Sequence, residues 1–533
     1  MPSDAEMLSV TGLRVAFGRT EVLHGVDLTI GHGERVAVVG QSGSGKSTLV
    51  AAILGLLPGS GRVTGGSIRL GEDELTGRTE KAWRGLRGER IGLVPQDPMT
   101  NLNPSMRVGA QIADALVAAG LRGEAVEKRV LELLTEAGIP EAERRAGQYP
   151  HEFSGGMRQR VLMAMALARE PELLIADEPT SALDVTVQRK ILDHLESLVA
   201  AHGTSLLFVT HDLGLAADRA DRVVVMHEGD VVETGPAAQI LREPQHDYTK
   251  RLIAASPSLD PADAAPPSRH TGADPILVVE DLVKEFRLRG RRGGTFRAVD
   301  HASFAVERGT TTAVVGESGS GKSTIAKLVL GLETPTSGTA LIAGRSIAEA
   351  PRKDRAGLRR RVQAVFQDPY SSLDPTFSVA QLVAEPLHIH RVGERKDRHR
   401  RVRELLDQVA LPESVAGRRP SELSGGQRQR VAIARALALD PELVICDEAV
   451  SALDVLVQDQ ILTLLADLQC DLGLSYLFIT HDLAVVRQIA HRVVVMHQGR
   501  VVEHDTVDRI FTAPTSAYTA ELLKAIPGAA LAG

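Results

Sequence analysis

No stretch of this 533-residue chain approaches the ~18 to 20 consecutive apolar residues that a membrane-crossing helix requires. The chain is therefore not expected to be a helical pore itself. Positive charge is not in surplus either: 61 Lys and Arg stand against 68 Asp and Glu, a net charge of −7, so there is no global attraction for nucleic acid. Cysteine is almost missing. With only Cys446 and Cys470 there is no disulfide framework, and Cys446 falls inside an apolar run that reads as a buried strand, so both are expected to be free thiols. The opening Met1-Pro2-Ser3-Asp4-Ala5-Glu6 lacks the basic, then apolar, then small-residue order of a secretory signal. A cytoplasmic protein is expected.

What is present is present twice. Gly40-Gln41-Ser42-Gly43-Ser44-Gly45-Lys46-Ser47-Thr48 recurs as Gly316-Glu317-Ser318-Gly319-Ser320-Gly321-Lys322-Ser323-Thr324. An apolar run closing on Asp177-Glu178 recurs at Asp447-Glu448, with Ser154-Gly155-Gly156 and Ser424-Gly425-Gly426 between. Lys46 and Lys322 are 276 residues apart, and Ser154 and Ser424, like Asp177 and Asp447, are 270 apart. Such register is a repeat on the scale of a domain.

The halves are placed at 1–256 and 276–533. Between them, 257–275 is rich in Pro and small polar residues without periodicity, and is a linker. A flexible chain of that length spans roughly 20 to 25 Å, which Pro residues lengthen. In the first half, Leu13 to Phe17 and Val26 to Ile30 alternate as strands do, and Arg35 to Val39 forms a strand feeding the glycine loop. The helix after it carries Leu49, Ile53, Leu56 and Leu57 at helical spacing. From Ser105 to Glu152, with Ile112, Leu116, Leu131 and Leu134 on apolar faces, the sequence reads as a helical lobe inserted in an α/β core.

A polyphosphate needs several donors converging on a small volume. A glycine-rich turn supplies them as backbone N–H groups unobstructed by Cβ, and the following helix adds its positive end. In each loop Gly40, Ser42, Gly43 and Gly45, or Gly316, Ser318, Gly319 and Gly321, shape the cradle. Lys46 and Lys322 would reach the β and γ phosphates, and the hydroxyls of Ser47 and Ser323 would hold magnesium. Leu173-Leu174-Ile175-Ala176-Asp177 and Leu443-Val444-Ile445-Cys446-Asp447 read as buried central strands ending in a metal-holding carboxylate. Glu178 and Glu448 follow, placed to polarise an attacking water. Thr210-His211-Asp212 and Thr480-His481-Asp482 end a further apolar strand in each half, and a γ-phosphate contact is expected of the histidines.

On these motifs the chain resembles ATP-binding cassette (ABC) ATPases with two nucleotide-binding domains fused, over nearly its whole length. The resemblance implies two tandem P-loop α/β domains, each a RecA-like core with an antiparallel β subdomain and an inserted helical subdomain. It also implies ATP and Mg²⁺ as cofactors. Ser154, Gly155 and Gly156, and Ser424, Gly425 and Gly426, match the signature loop, which in that family faces the γ-phosphate bound by the opposite domain. The halves would then pair head to tail. Met157 departs from the glutamine more usual after the glycines. Gln96 and Gln367, each in Gln-Asp-Pro, match the Q-loop that senses nucleotide and its metal. Ser181-Ala182-Leu183-Asp184 and Ser451-Ala452-Leu453-Asp454 match the D-loop. Phe17 and Phe286 match the aromatic that stacks on adenine. Glu448-Ala449-Val450 replaces Glu178-Pro179-Thr180 without touching the carboxylate.

Several stretches narrow the resemblance to the ATPases of oligopeptide, dipeptide and nickel importers. They are Gln96 to Pro104, His151 to Arg160, Gln367 to Pro375, and the tails Pro244-Gln245-His246-Asp247-Tyr248-Thr249 and Pro514-Thr515-Ser516-Ala517-Tyr518-Thr519. That branch implies two membrane permeases and an extracytoplasmic solute-binding protein as partners, and residence on the cytoplasmic face of the membrane. Some members carry an iron–sulfur site, which two cysteines cannot build. Soluble tandem ABC ATPases acting on ribosomes or DNA share the motifs, but bring a long charged linker or zinc-binding cysteines that are missing here. Exporter ATPases share them as well, and the paired tails favour import. The basic run Arg395 to Arg403 reads as a solvated helix face, Arg289, Arg291 and Arg292 as an exposed loop, and His388 and His390 as lacking metal-ligand partners.

Overall fold

The computed structural model describes residues 6–180, 183–256, 274–287, 294–368, 372–451 and 453–527. Most of the linker, Ser181, Ala182 and Ala452 of the D-loops, residues 369–371 after the second Gln-Asp, and Arg289, Arg291 and Arg292 lie outside them. The chain divides into two compact units with the boundary between Ser256 and Pro257.

In the first unit, a four-stranded antiparallel sheet runs in the order Thr20–Gly31, Glu6–Phe17, Gly61–Leu70, Asp73–Glu74. Both long strands outrun the segments expected from alternation, because the pattern slips at bulges that pairing tolerates. A six-stranded sheet carries the order Asp230–Pro236, Arg222–His227, Arg35–Val39, Ser205–Thr210, Leu173–Asp177, Ile91–Val94. All its pairs are parallel except the one between the first two strands. Its central strands are buried along almost their whole length, as parallel strands covered on both faces must be.

The helix after the glycine loop, Lys46–Ile53, is shorter than its apolar spacing suggests. Leu49 and Ile53 are buried in the core, but Leu56 and Leu57 lie beyond the helix end and Leu56 is exposed. Gly55 stops it with φ 61°, a left-handed value that terminates helices. The helical lobe comprises Val108–Ala118, Glu124–Glu136, Ala142–Ala146 and Gly155–Leu167. Ile112, Leu116 and Leu134 sit in its core; Leu131 is only half-buried, and Leu133 takes the inner place instead.

The second unit repeats this plan. Its antiparallel sheet has the order Thr295–Val306, Leu277–Arg287, Ser337–Ile342, Arg345–Ser346. Its larger sheet has the order Val362–Val365, Leu443–Asp447, Ser475–Thr480, Thr311–Val315, Arg492–His497, Arg500–Thr506. Val379–Ile389, Arg395–Gln408 and Gly425–Leu437 form its lobe. The basic run lies on Arg395–Gln408, whose Val402, Leu405 and Leu406 are buried while Arg400 and Arg401 pair with Asp397 and Asp440. His388 Nδ1 is bonded to Arg398, and among the described residues no group of three His, Cys, Asp or Glu could hold a metal by itself. Cys446 is buried and Cys470 half-buried, both free. No helix among the described residues is long and apolar enough to cross a membrane.

Candidate functional site

The strands Arg35–Val39 and Thr311–Val315 deliver the two glycine loops to the C-terminal edges of the parallel sheets, where ligands of such sheets are taken. Lys46 Nζ turns back under its own loop and donates to the carbonyls of Gly40 (2.6 Å) and Gln41 (3.0 Å). Lys322 does the same to Gly316 (2.7 Å) and Glu317 (2.8 Å). Both lysines are buried. The ammonium thereby ties each loop from within. Gly40 and Gly316 admit no side chain, because a Cβ there would meet the backbone carbonyl of Met226 or Met496.

Beside each loop the neighbouring strand ends in the acidic pair. Glu178 and Glu448 stand at φ 43° and 49°, left-handed values costly for a residue with a Cβ. Their N–H groups donate to Val209 O and Ile479 O, both at 2.9 Å, which fixes the turn and swings the carboxylates out of the strand. Gln96 Nε2 donates to Glu178 Oε2 (2.8 Å), and His211 Nδ1 stands 3.3 Å from Glu178 Oε1. Gln367 and His481 hold Glu448 the same way, at 2.6 and 3.5 Å. The glutamine loop, the acidic strand and the histidine strand therefore meet at one carboxylate in each unit.

Electrostatics separates the two carboxyls of each pair. Burial and the adjacent Glu178 push Asp177 up to about 6 against the pull of Lys46. Asp447 is raised for the same reasons, with Ser323 and Lys322 opposing. Burial also pushes Glu178 up, but the bond and charge of His211, with Lys46, outweigh it and leave the carboxyl below its ordinary value. His481 lowers Glu448 past the effect of burial. A buried aspartate held above its usual range is a place where a cation is favoured. Ser323 Oγ donates to Asp447 Oδ1 at 3.3 Å, so a hydroxyl and a carboxylate already converge there. This hard, sparse oxygen set fits magnesium, which keeps waters and substrate phosphates in its shell, better than a metal needing an all-protein cage.

The signature residues cap a lobe helix in each unit. Ser154 Oγ accepts from Met157 N (3.3 Å), and Ser424 Oγ from Gln427 N (3.2 Å). Gln427 Oε1 also accepts from Ser424 N (3.1 Å), a reciprocal bond that Met157 has no atom to make. Asp184 and Asp454 of the D-loop segments cap the next helices, accepting from Val187 N and Val457 N. Phe17 and Phe286 lie within the strands Glu6–Phe17 and Leu277–Arg287. Phe17 packs partly against the core. Phe286 is exposed beside exposed Phe296, its cross-strand partner, with Lys284 Nζ 5.0 Å from its ring. Phe296 carries no mark in the sequence, because a cross-strand neighbour has no signature along the chain.

A family profile described as "ABC transporter" matches residues 23–181 and 299–451, and one described as "Oligopeptide/dipeptide transporter, C-terminal region" matches 232–278. The glutathione import ATP-binding protein GsiA of Salmonella typhimurium is 42% identical, over 98% of this chain and 90% of its own. The GsiA protein of Escherichia coli K12 is 41% identical, over 98% and 89%. The oligopeptide transport ATP-binding protein OppD of Mycobacterium bovis is 41% identical, over 98% of both chains. Among solved structures, cbiO1 of Clostridium perfringens, part of the ABC transporter complex cbiONQ, is similar at 31% identity and a TM-score of 0.41, covering 45% of this chain and 92% of that one. Two cassette matches in one polypeptide, each around a glycine loop and an acidic strand end, establish that the chain belongs to the ABC transporter family as a tandem ATP-binding, ATP-hydrolysing protein.

Proposed function

We propose that the protein is the energy-coupling ATPase of an ABC importer whose solutes are peptides, with nickel-type small solutes as the second class. The observation that carries this reading is the duplication of one arrangement, each copy pairing a buried loop lysine with a glutamate gripped by glutamine and histidine. The match of 232–278 to an oligopeptide and dipeptide transporter region and the import relatives support the direction and the solute class.

In this reading ATP lies along Gly40, Ser42, Gly43 and Gly45, or their counterparts Gly316, Ser318, Gly319 and Gly321. The loop N–H groups and the lysine take its phosphates. Ser47, Asp177 and Gln96, and Ser323, Asp447 and Gln367, would hold Mg²⁺, which neutralises phosphate charge when bound. Glu178 and Glu448 accept the proton of the attacking water while His211 and His481 orient them and contact the γ-phosphate. Phe17 and Phe286 support adenine. Thr48 and Thr324 add hydroxyls behind the cradle.

In the head-to-tail pairing that the family resemblance implies, each site would be completed by Ser424, Gly425 and Gly426, or Ser154, Gly155 and Gly156, of the opposite half. Fusion raises the effective concentration of each half for the other. Two permeases ride the closing and opening at the cytoplasmic face of the membrane, and an extracytoplasmic binding protein delivers the solute. The test is peptide accumulation by energised membrane vesicles that carry the protein. ATP-dependent uptake that disappears in Lys46→Ala and Lys322→Ala supports the proposal; uptake unchanged by both, or ATP-driven efflux, contradicts it.

A further inference from the structure

Each glycine loop is gripped from outside by a tyrosine distant in sequence. Gln41 N–H donates to Tyr248 Oη at 3.0 Å, and Glu317 N–H to Tyr518 Oη at 3.1 Å. Partners 207 and 201 residues apart thus meet on the residue that follows the first glycine of each loop.

The support behind each tyrosine is repeated as closely as the bond itself. The strands Arg222–His227 and Arg492–His497 end in a histidine whose ring stacks on the tyrosine, centroids 4.0 Å apart in both units. On the next strand, Glu233 accepts from the N–H groups of Gln245 and His246 at 2.8 and 3.0 Å, and Glu503 from those of Thr515 and Ser516 at 2.7 and 3.1 Å. The glutamates thereby pin the tail just ahead of the helices Asp247–Ala255 and Ala517–Lys524 that present the tyrosines. The same hairpin touches the loop once more, through Gly229 N to Ser44 O and Gly499 N to Ser320 O, both 3.1 Å. The flanking residues differ between Gln-His-Asp-Tyr and Thr-Ser-Ala-Tyr, yet the bond is the same.

We infer that Tyr248 and Tyr518 are positioning residues for nucleotide binding, which makes each C-terminal tail a structural part of its own ATP site. The reason is geometric. A glycine-rich loop has many accessible conformations, and only those with its inner N–H groups converging suit a polyphosphate. The lysine ties the loop from within, but nucleotide takes the lysine over, whereas the tyrosine lies outside the cradle and holds before and after binding. An acceptor at Gln41 or Glu317 turns that N–H outward and lowers the ordering cost paid on binding. The effect belongs in ATP affinity and not in the chemical step.

The inference rests on the glycine loops being the ATP sites, and the experiment separates the two. In the purified full-length chain, Tyr248→Phe, Tyr518→Phe and the double variant keep the ring stack and lose the hydroxyl. Each is expected to raise the KM for ATP and weaken binding of a fluorescent ATP analogue about three- to tenfold, the worth of one neutral hydrogen bond, with kcat within about twofold. Hydrogen exchange on the nucleotide-free wild-type chain is the second readout, with slow exchange expected at the Gln41 and Glu317 amides and fast exchange in the Phe variants. An unchanged KM in the double variant, or wild-type amides exchanging as fast as open loop, overturns the inference. If Lys46→Ala and Lys322→Ala abolish analogue binding in the same assay, the loops remain ATP sites and only the tyrosine role falls.

Discussion

His211 Nδ1 lies 3.3 Å from Glu178 Oε1, and His481 repeats the contact with Glu448 at 3.5 Å. With Gln96 and Gln367 on the other carboxylate oxygen, each glutamate is held at both ends. On the proposed role of these glutamates as bases, replacing Glu178 or Glu448 by Gln removes the base but leaves the hydrogen-bonding shape. Each single variant is expected to lose about 100-fold or more in ATP turnover while retaining bound ATP. The check is steady-state hydrolysis with nucleotide trapping, and near-normal turnover in either variant contradicts two coupled sites.

The same contact sets a pH dependence. Burial pulls the imidazoles of His211 and His481 down, but the bond and charge of their glutamates outweigh it and leave both above the ordinary value. A raised histidine stabilises the fold fully below its unfolded pKa and loses that contribution as pH rises through the raised one. The lowered glutamate contributes above its unfolded pKa and loses its share as pH falls through the lowered one. Between the lowered carboxylate and the raised imidazole the pair is charged and intact. Glu178→Gln should therefore move the titration midpoint of His211 downward in imidazole NMR, and no movement would refute the pairing.

Much of this was legible in the sequence because it is local. The glycine loops, the acidic strand ends and the serine caps each occupy a few consecutive residues, and duplication in register separates them from chance. What was not legible depends on contacts across the chain. Tyr248 lies in a tail that sequence marks only as a branch motif, and its bond to Gln41 spans 207 residues. Phe296 becomes visible only once strand pairing sets it opposite Phe286. Leu56 and Leu57 were misread because helical spacing continued past Gly55, where backbone conformation ends the helix.

The asymmetry at the signature helices predicts a stability difference. Gln427 completes a capping box with Ser424, and Met157 leaves Ser154 without the return bond. Met157→Gln should stabilise the first unit by about 0.5 to 1 kcal/mol, and Gln427→Met should cost the second a similar amount. Denaturant unfolding of the two variants measures it; equal midpoints for wild type and both variants would show that the box carries no energy.

Glycine is needed at Gly156 and Gly426 for packing. A Cβ there would stand 2.7 Å from Val187 Cγ1 or 2.5 Å from Val457 Cγ1. Alanine at either position forces the D-loop helix away from the signature helix, at a cost of about 1 to 3 kcal/mol, visible as a lower unfolding midpoint. Val187→Ala should restore most of the loss in Gly156→Ala. Failure of that rescue would place the cost elsewhere.

Purification from native membrane in mild detergent tests whether this tandem ATPase drives a membrane importer. Two multi-span permeases copurifying with the chain, and peptide-stimulated ATP hydrolysis in that complex, is the predicted result. Recovery with ribosomal or DNA-repair components and without permeases would contradict it and leave only the ATPase chemistry standing.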